Sequence, residues 1–237
     1  MPELDVHEAL TRFLPLIEEE GFLRLRSSKV AVYGLGGVGG SAAEALARAG
    51  VKTLYLIDAD EVAPSNLNRQ AVARVSTIGE KKAVAMAKQL SDIAPWVEVV
   101  PISRYFSEET KAEFPFEVDG IVDAIDSIGP KKALIKEAFL RDIPLVSSMG
   151  AGNRMHPELL SVMDISKTSG DPLARIIRSF CKKEGISPLT VVASSEPPIV
   201  SGLLDEKGKR VPCSSPFVPP AAGLMLASAL VQKILQA

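Results

Sequence analysis

The stretch KVAVYGLGGVG, residues 29 to 39, constrains the fold of this chain more than any other. A short apolar run that ends in glycines reads as a buried strand entering a tight turn. The next residues, GSAAEALARAG, space small side chains at helical intervals and stop at Gly50, a residue suited to ending a helix. A glycine pattern placed between a strand and a helix is a phosphate-binding fingerprint. Its glycines let the backbone turn sharply and approach a phosphate, which then sits on the helix N-terminus. Gly34, Gly36, Gly37 and Gly39 are therefore candidate nucleotide-binding residues. The plainer account is a glycine turn used only for packing.

The chain repeats this alternation. TLYLIDAD reads as a second strand, and EKKAVAMAKQLSDIAP as an amphipathic helix stopped before Pro95. VEVVPIS and DGIVDAIDS read as strands, PKKALIKEAFLRD as a helix, and IPLVSSMGAG as a fifth strand ending in glycines. Strands alternating with helices predict an α/β fold, a Rossmann-like and mostly parallel sheet with helices on both faces. Beyond about residue 152 the texture changes. LTVVASSEPPIVS predicts an antiparallel strand and a loop, and LLDEKGKRVPCSSPFVPP a polar loop. VPPAAGLMLASALVQKILQ predicts a buried terminal helix. Its two prolines, Gln232 and Lys233 leave it short of the roughly 20 residues needed to span a bilayer. The 237 residues show no repeat, so we expect one domain over 1–237. Its nucleotide-binding core would run from about 28 to 150, with a substrate-side extension over about 151–237.

Several protein classes are disfavoured. Two cysteines, Cys181 and Cys213, cannot build a disulfide scaffold, and without a Cys-x-x-Cys pair they cannot build a four-thiolate zinc site. A net charge of −2 spreads no basic field over the whole molecule, although a local patch is still compatible with RNA. The opening MPELDVHEALTRF has acids and no apolar core, unlike a signal peptide. The expected location is the cytoplasm, with no membrane partner.

The chemistry concentrates behind the second strand. Asp58 and Asp60 end it, where an acid usually holds ribose hydroxyls, whether of NAD or of ATP. Asn66, Arg69 and Gln70 follow one loop later, and then Lys82. A nicotinamide dinucleotide brings about two phosphate charges, which one helix N-terminus largely accommodates. ATP brings roughly four, so added cations are expected. Arg69 and Lys82 would also stabilise charge shifting during attack at the α-phosphorus. Asp126, read at the end of the fourth strand, suits a carboxylate holding Mg²⁺ against phosphates. Taken singly, each of these charges is more simply a solvated surface group. Their convergence on one sheet edge argues otherwise.

GLGGVG, DADEV, SNLNRQ, GEKK and DAIDS together resemble the adenylate-forming fold of ThiF, MoeB and the ubiquitin-activating enzymes. The resemblance implies that Gly37 lies beside the ATP phosphates and Asp60 holds the ribose. It implies that Ser65 to Arg69 line the nucleotide, Lys82 contacts phosphate, and Asp126, beside Ser127, binds Mg²⁺. SSMGAGNR, DISKTSGDPLAR and SSPFVPPAAGL resemble the tRNA threonylcarbamoyladenosine dehydratases, the TcdA or CsdL group. That likeness implies ATP-dependent activation of a threonyl carboxylate in the tRNA anticodon loop, then ring closure to a cyclic hydantoin. It also implies a homodimer. A sulfur-transfer protein and a monovalent cation are further implied partners, with no residues of their own to mark them.

In ThiF and MoeB an N-terminal arginine reaches the partner's ATP, but here the matching position is Pro15, so either Arg12 substitutes or the cross-subunit contact is absent. Cys213 matches a cysteine of some relatives but reads as an incidental loop thiol, and Cys181 reads as packing. Neither His156 nor His7 suggests a ligand. Arg175, Arg178, Lys182 and Lys183 share a helix face or its margin, and Lys207, Lys209 and Arg210 add charge on the polar loop, so both are candidate RNA contacts. An activator of a ubiquitin-like sulfur carrier is the alternative function, opposed by the missing Cys-x-x-Cys pairs. A nicotinamide-dependent oxidoreductase or a non-catalytic scaffold stands further back.

Overall fold

The computed structural model describes residues 5–204, 208 and 210–236. Among these residues seven strands form one sheet: β1 (Lys29–Tyr33), β2 (Thr53–Ile57), β3 (Glu98–Ile102), β4 (Gly120–Asp123), β5 (Leu145–Ser148), β6 (Leu160–Asp164) and β7 (Thr190–Ser194). Their spatial order is β3-β2-β1-β4-β5-β7-β6. Every pairing is parallel except β6 with β7. The mostly parallel α/β sheet expected from the alternation is what forms.

The helices are α1 (Val6–Ala9), α2 (Leu14–Ser27), α3 (Gly37–Arg48), α4 (Lys82–Ile93), α5 (Ile128–Leu140), α6 (Pro172–Glu184) and α7 (Val218–Gln236). Helices α3, α4 and α7 bury one core with Val30, Val32, Leu54 and Leu56, while α5 and α6 bury a second core with Ala31, Tyr33, Ile121 and Val191. Alternate residues of β1 face opposite cores, as the period of two along a strand requires. β1 and β4 are buried end to end apart from Lys29, because helices cover both faces of a parallel sheet.

Two readings of the C-terminal third are corrected. LTVVASSEPPIVS holds β7, and β7 runs parallel to β5. The antiparallel strand is β6, at the sheet edge. Its pattern, LSVMD, leaves Ser161 and Val162 both exposed, so it lacks the alternation that marks a half-buried strand. The prolines of VPPAAGL also do not shorten α7. Pro219 and Pro220 occupy its first turn, where no N–H is needed, so the helix runs for 19 residues. It is long and apolar enough to cross a membrane, yet its stripe Val218, Ala222, Leu226, Leu230 and Ile234 packs into the core, as expected for a buried terminal helix.

Candidate functional site

The order β3-β2-β1-β4 places a topological switch between β1 and β4, where chain connections leave in opposite directions and open a crevice at the carboxyl ends of the strands. A cleft of about 230 Å³ lies there. Much of its lining is the first few residues after a strand: Gly34 and Gly36 after β1, Asp58 to Asp60 after β2, Arg104 to Phe106 after β3, and Ala124 to Ser127 after β4.

The glycine turn is sterically obligatory at two points. Gly34 has φ +86°, and a Cβ there would stand 2.7 Å from the Ala124 carbonyl oxygen. A Cβ on Gly39 would collide with the Gly34 carbonyl. Asp58 braces the same turn from the second strand. Its Oδ2 accepts the Leu35 N–H at 2.6 Å, and its Oδ1 accepts the Asp60 N–H at 2.8 Å. Burial pushes the Asp58 carboxyl above its usual value, while the nearby Lys82 charge and those two hydrogen bonds pull against it.

Asp60 holds Lys82 instead. The Lys82 ammonium lies 2.9 Å from Asp60 Oδ2, with side-chain exposures of 7% for the lysine and 73% for the aspartate. The Lys82 N–H also donates to the Asp60 carbonyl at 2.9 Å. A buried cation is thus fixed to the cleft wall by a carboxylate that is itself in water. Opposite, Asp126 lies in the loop three residues beyond Asp123, the last residue of β4, rather than at the strand end as the sequence suggested. Its Oδ1 accepts the Ser127 hydroxyl at 3.1 Å.

The cleft therefore gathers Gly34, Gly36, Asp58, Asp60, Gln70, Lys82, Asp126 and Ser127. Gln70 is buried on its wall, and its Oε1 has no hydrogen-bond partner. Gly37, Gly39, Ser65, Asn66 and Arg69 do not line the cleft. Asn66 Oδ1 caps the Pro64–Asn66 turn by accepting the Ala63 N–H at 3.0 Å. Arg69 Nη1 donates to the Ser65 carbonyl and to Asn68 Oδ1, each at 2.9 Å. Arg69 nonetheless lies against the first turn of α3, because its carbonyl oxygen would be 3.1 Å and its Cγ 3.4 Å from a Cβ on Gly37.

Sequence reasoning missed part of the site. Tyr33, Arg104, Tyr105 and Phe106 also line the cleft. Tyr33 and Phe106 stack edge to face at 5.1 Å between ring centroids. The aromatic run YF after β3 was the available signal. Asn68 ties the cleft loop to the segment before α7 by donating to the Ser214 carbonyl at 2.8 Å. Beneath the Ala124–Ser127 loop lies a fully buried cluster: Lys131 Nζ is 2.7 Å from Asp123 Oδ2 and 3.1 Å from Ser147 Oγ.

Outside the cleft, Arg178 is committed to the Thr168 carbonyl and hydroxyl at 2.7 and 2.6 Å, which removes it from the basic face expected on α6. Lys207 and Lys209 lie outside the described residues, and Arg210 is exposed. Arg12 is exposed between α1 and α2. His7 meets Glu19 at 3.3 Å and the Phe22 ring, and His156 meets Glu158 at 2.8 Å.

Cys181 is buried, which pushes its thiol up to about 11, whereas Cys213 is exposed, with its thiol 3.0 Å from the Ser201 hydroxyl. Thiolate is the reactive form. In the native protein a disulfide reagent at neutral pH should therefore titrate Cys213 quickly and Cys181 only after denaturation. Two fast thiols would contradict the burial.

This arrangement, a glycine turn, an acid braced against it, a fixed cation and a carboxylate around one switch-point cleft, defines a nucleotide-binding α/β protein. More narrowly, the chain belongs to the ThiF family, whose model matches residues 8–236. It is 42% identical over 233 residues to a Bacillus subtilis tRNA threonylcarbamoyladenosine dehydratase, covering 93% of this chain and 92% of that one. An Escherichia coli enzyme of the same name is 37% identical over 71% of this chain and 63% of its own length. Crystal structures of the Escherichia coli dehydratase TcdA with ATP and with AMP superpose with a TM-score of 0.88 at 29% identity, covering 97% of this chain and 95% of those. An Escherichia coli molybdopterin-synthase adenylyltransferase is 34% identical over 59% of this chain and 55% of its own length.

Proposed function

We propose that this protein uses ATP to dehydrate and cyclise threonylcarbamoyladenosine in the tRNA anticodon loop, releasing AMP and pyrophosphate. What supports the reading is near full-length likeness to dehydratases of that name, joined to a cleft lined by both a fixed cation and a carboxylate. The substrate carboxylate attacks the α-phosphorus, and the bond to pyrophosphate breaks. A ureido nitrogen of the same substituent then attacks the acyl carbon, loses its proton and expels AMP. The nitrogen is already tethered in reach of a five-membered ring, so effective molarities of about 10⁵–10⁸ M are available without a protein nucleophile. The exposed Cys213 therefore has no required step.

The chain's own groups bind and orient. Gly34 and Gly36 bring backbone to the phosphates at the α3 N-terminus, and Asp60 meets the ribose. Lys82 and Arg69 meet the phosphates, with Arg69 leaving its present carbonyl partner, while Ser65 and Asn66 shape the loop that carries it. The orphaned Gln70 Oε1 is an acceptor suited to a nucleotide hydroxyl or amine. Asp126 fits Mg²⁺. That ion favours one or two carboxylates plus substrate phosphates, and no trio of acidic, histidine or cysteine ligands gathers among the described residues. When bound, Mg²⁺ supplies charge neutralisation at the phosphates. The protein acts in the cytoplasm as a homodimer, and the outer apolar groove of Phe13, Ala45, Pro220 and Leu224 suits a second copy.

The test is mass spectrometry of nucleosides from threonylcarbamoylated tRNA incubated with the protein and Mg·ATP. The expected product is the nucleoside lighter by one water. An unchanged nucleoside, together with pyrophosphate exchange that depends on a small protein ending in Gly-Gly, would replace this reading with activation of a sulfur carrier.

A further inference from the structure

We infer that the outer face of α6, extended by α5, is the track on which the RNA backbone docks. The inference rests on the tRNA reading above. A chain of net charge −2 must hold a polyanion through a local concentration of cations, since phosphate contacts supply most nucleic-acid affinity.

Arg175, Ser179, Lys182 and Lys183 are all exposed and lie on the side of α6 opposite its buried Ala174, Ile177 and Cys181. That outer face carries no acid. Glu184, next to Lys183, is occupied by Lys136 at 2.8 Å, and the N-cap Asp171 is buried against Arg154 at 2.7 Å. Among the described residues no carboxylate pairs with Arg175, Lys182 or Lys183. A second helix joins the row, because Lys132 of α5 places its ammonium 5.5 Å from the centroid of the Phe180 ring on α6.

The placement gives the track a direction. Asp171, which caps α6, abuts Gly150 just beyond the carboxyl end of β5, so α6 starts on the same sheet edge as the cleft. Helix α5 likewise starts beside Ser127 and Pro130 of the cleft wall. Arg175 therefore stands nearest the cleft, and Lys182 and Lys183 continue away from it over roughly 10–12 Å at 1.5 Å per residue. A strand whose modified base enters the cleft would lay its flanking phosphates along this row. Solvated cations scattered for solubility need not share one acid-free face running back from the site.

The test is the triple variant R175E/K182E/K183E, with R175Q/K182Q/K183Q as the milder form and K52E/K88E on the far face as control. The readouts are tRNA binding without ATP, and the kcat and KM of cyclisation. The charge-reversed variant should raise the Kd and KM for tRNA by about tenfold or more at moderate salt, with kcat at saturating tRNA and ATP affinity unchanged. The slope of log Kd against log salt should fall by about 2–3, at about 0.7–0.9 per lost phosphate contact. The control should behave as wild type. Wild-type tRNA binding by the triple variant overturns the track even if cyclisation proceeds, and would do so too if the variant lost binding to an acidic protein partner instead. Charge-dependent tRNA binding by a protein that never alters the nucleoside would sustain the track and sink the dehydratase reading.

Discussion

Replacing Lys82 with alanine is expected to lower ATP cleavage to AMP by about 10²–10³-fold, equivalent to about 2.7–4 kcal/mol of transition-state stabilisation, while leaving the melting temperature nearly unchanged. Both halves of that expectation follow from the asymmetry of the Lys82–Asp60 pair. The ammonium is almost fully buried, so it is fixed in direction and weakly screened. Its partner carboxylate is 73% exposed, so water takes over the solvation of Asp60 when the lysine is deleted. Asp58 loses the cation that opposes its desolvation, and its carboxyl should move further up. Arg69→Ala should lower the same rate, because the guanidinium gives up only a surface carbonyl and the Asn68 side chain when it turns to phosphate. The measurement is AMP formation under saturating tRNA, with calorimetry alongside. If the protein were a nicotinamide-dependent oxidoreductase, both variants would keep wild-type nucleotide affinity. A Lys82→Ala enzyme that makes AMP at the wild-type rate rules out the phosphate role assigned here.

The glycine turn was legible because its constraint is local. Gly34 must reach φ +86°, and Gly39 must leave room for the Gly34 carbonyl, so residue type reports geometry directly. The strand–helix alternation was legible for the same kind of reason. The division of labour inside the cleft was not. Asp58 and Asp60 are two residues apart and look alike in sequence, yet one braces the turn and the other holds Lys82. Asn66 has the same composition whether it lines a nucleotide or caps a turn, and here its side chain caps. Arg178 shares its helix with three exposed cations but turns inward to Thr168, a choice set by tertiary contact. The edge strand β6 carries too little burial to impose a pattern. One missed residue did leave a trace. Lys131 sits three, four and seven positions before the core residues Leu134, Ile135 and Ala138, so helical spacing already puts it on the buried stripe of α5.

That lysine carries the second large expectation. Lys131→Met should destabilise the protein by about 3–5 kcal/mol, because it leaves Asp123 fully buried with a charge compensated only by the Ser147 hydroxyl and the Ile125 N–H. For a chain of this size that is a fall in melting temperature on the order of 10 °C. Asp123→Asn should also destabilise, by leaving the Lys131 ammonium buried with no anion. The double variant, Asp123→Asn with Lys131→Met, removes both charges and should recover most of the loss, since replacing a buried ion pair whole is often neutral where breaking it is not. The coupling energy of the cycle isolates the pair from the packing change. The pair also reaches the cleft. Asp123 Oδ1 accepts the Ile125 N–H at 3.1 Å, which holds the first turn of the loop carrying Asp126. Asp123→Leu in place of Asp123→Asn, again with Lys131→Met, removes that acceptor and should therefore raise the KM for Mg·ATP, whereas Asp123→Asn keeps an amide oxygen that still accepts the Ile125 N–H. Additive losses in the cycle would show that the two charges do not depend on each other. An unaltered KM in the Asp123→Leu, Lys131→Met variant would confine the pair to the core and free the Asp126 loop from it.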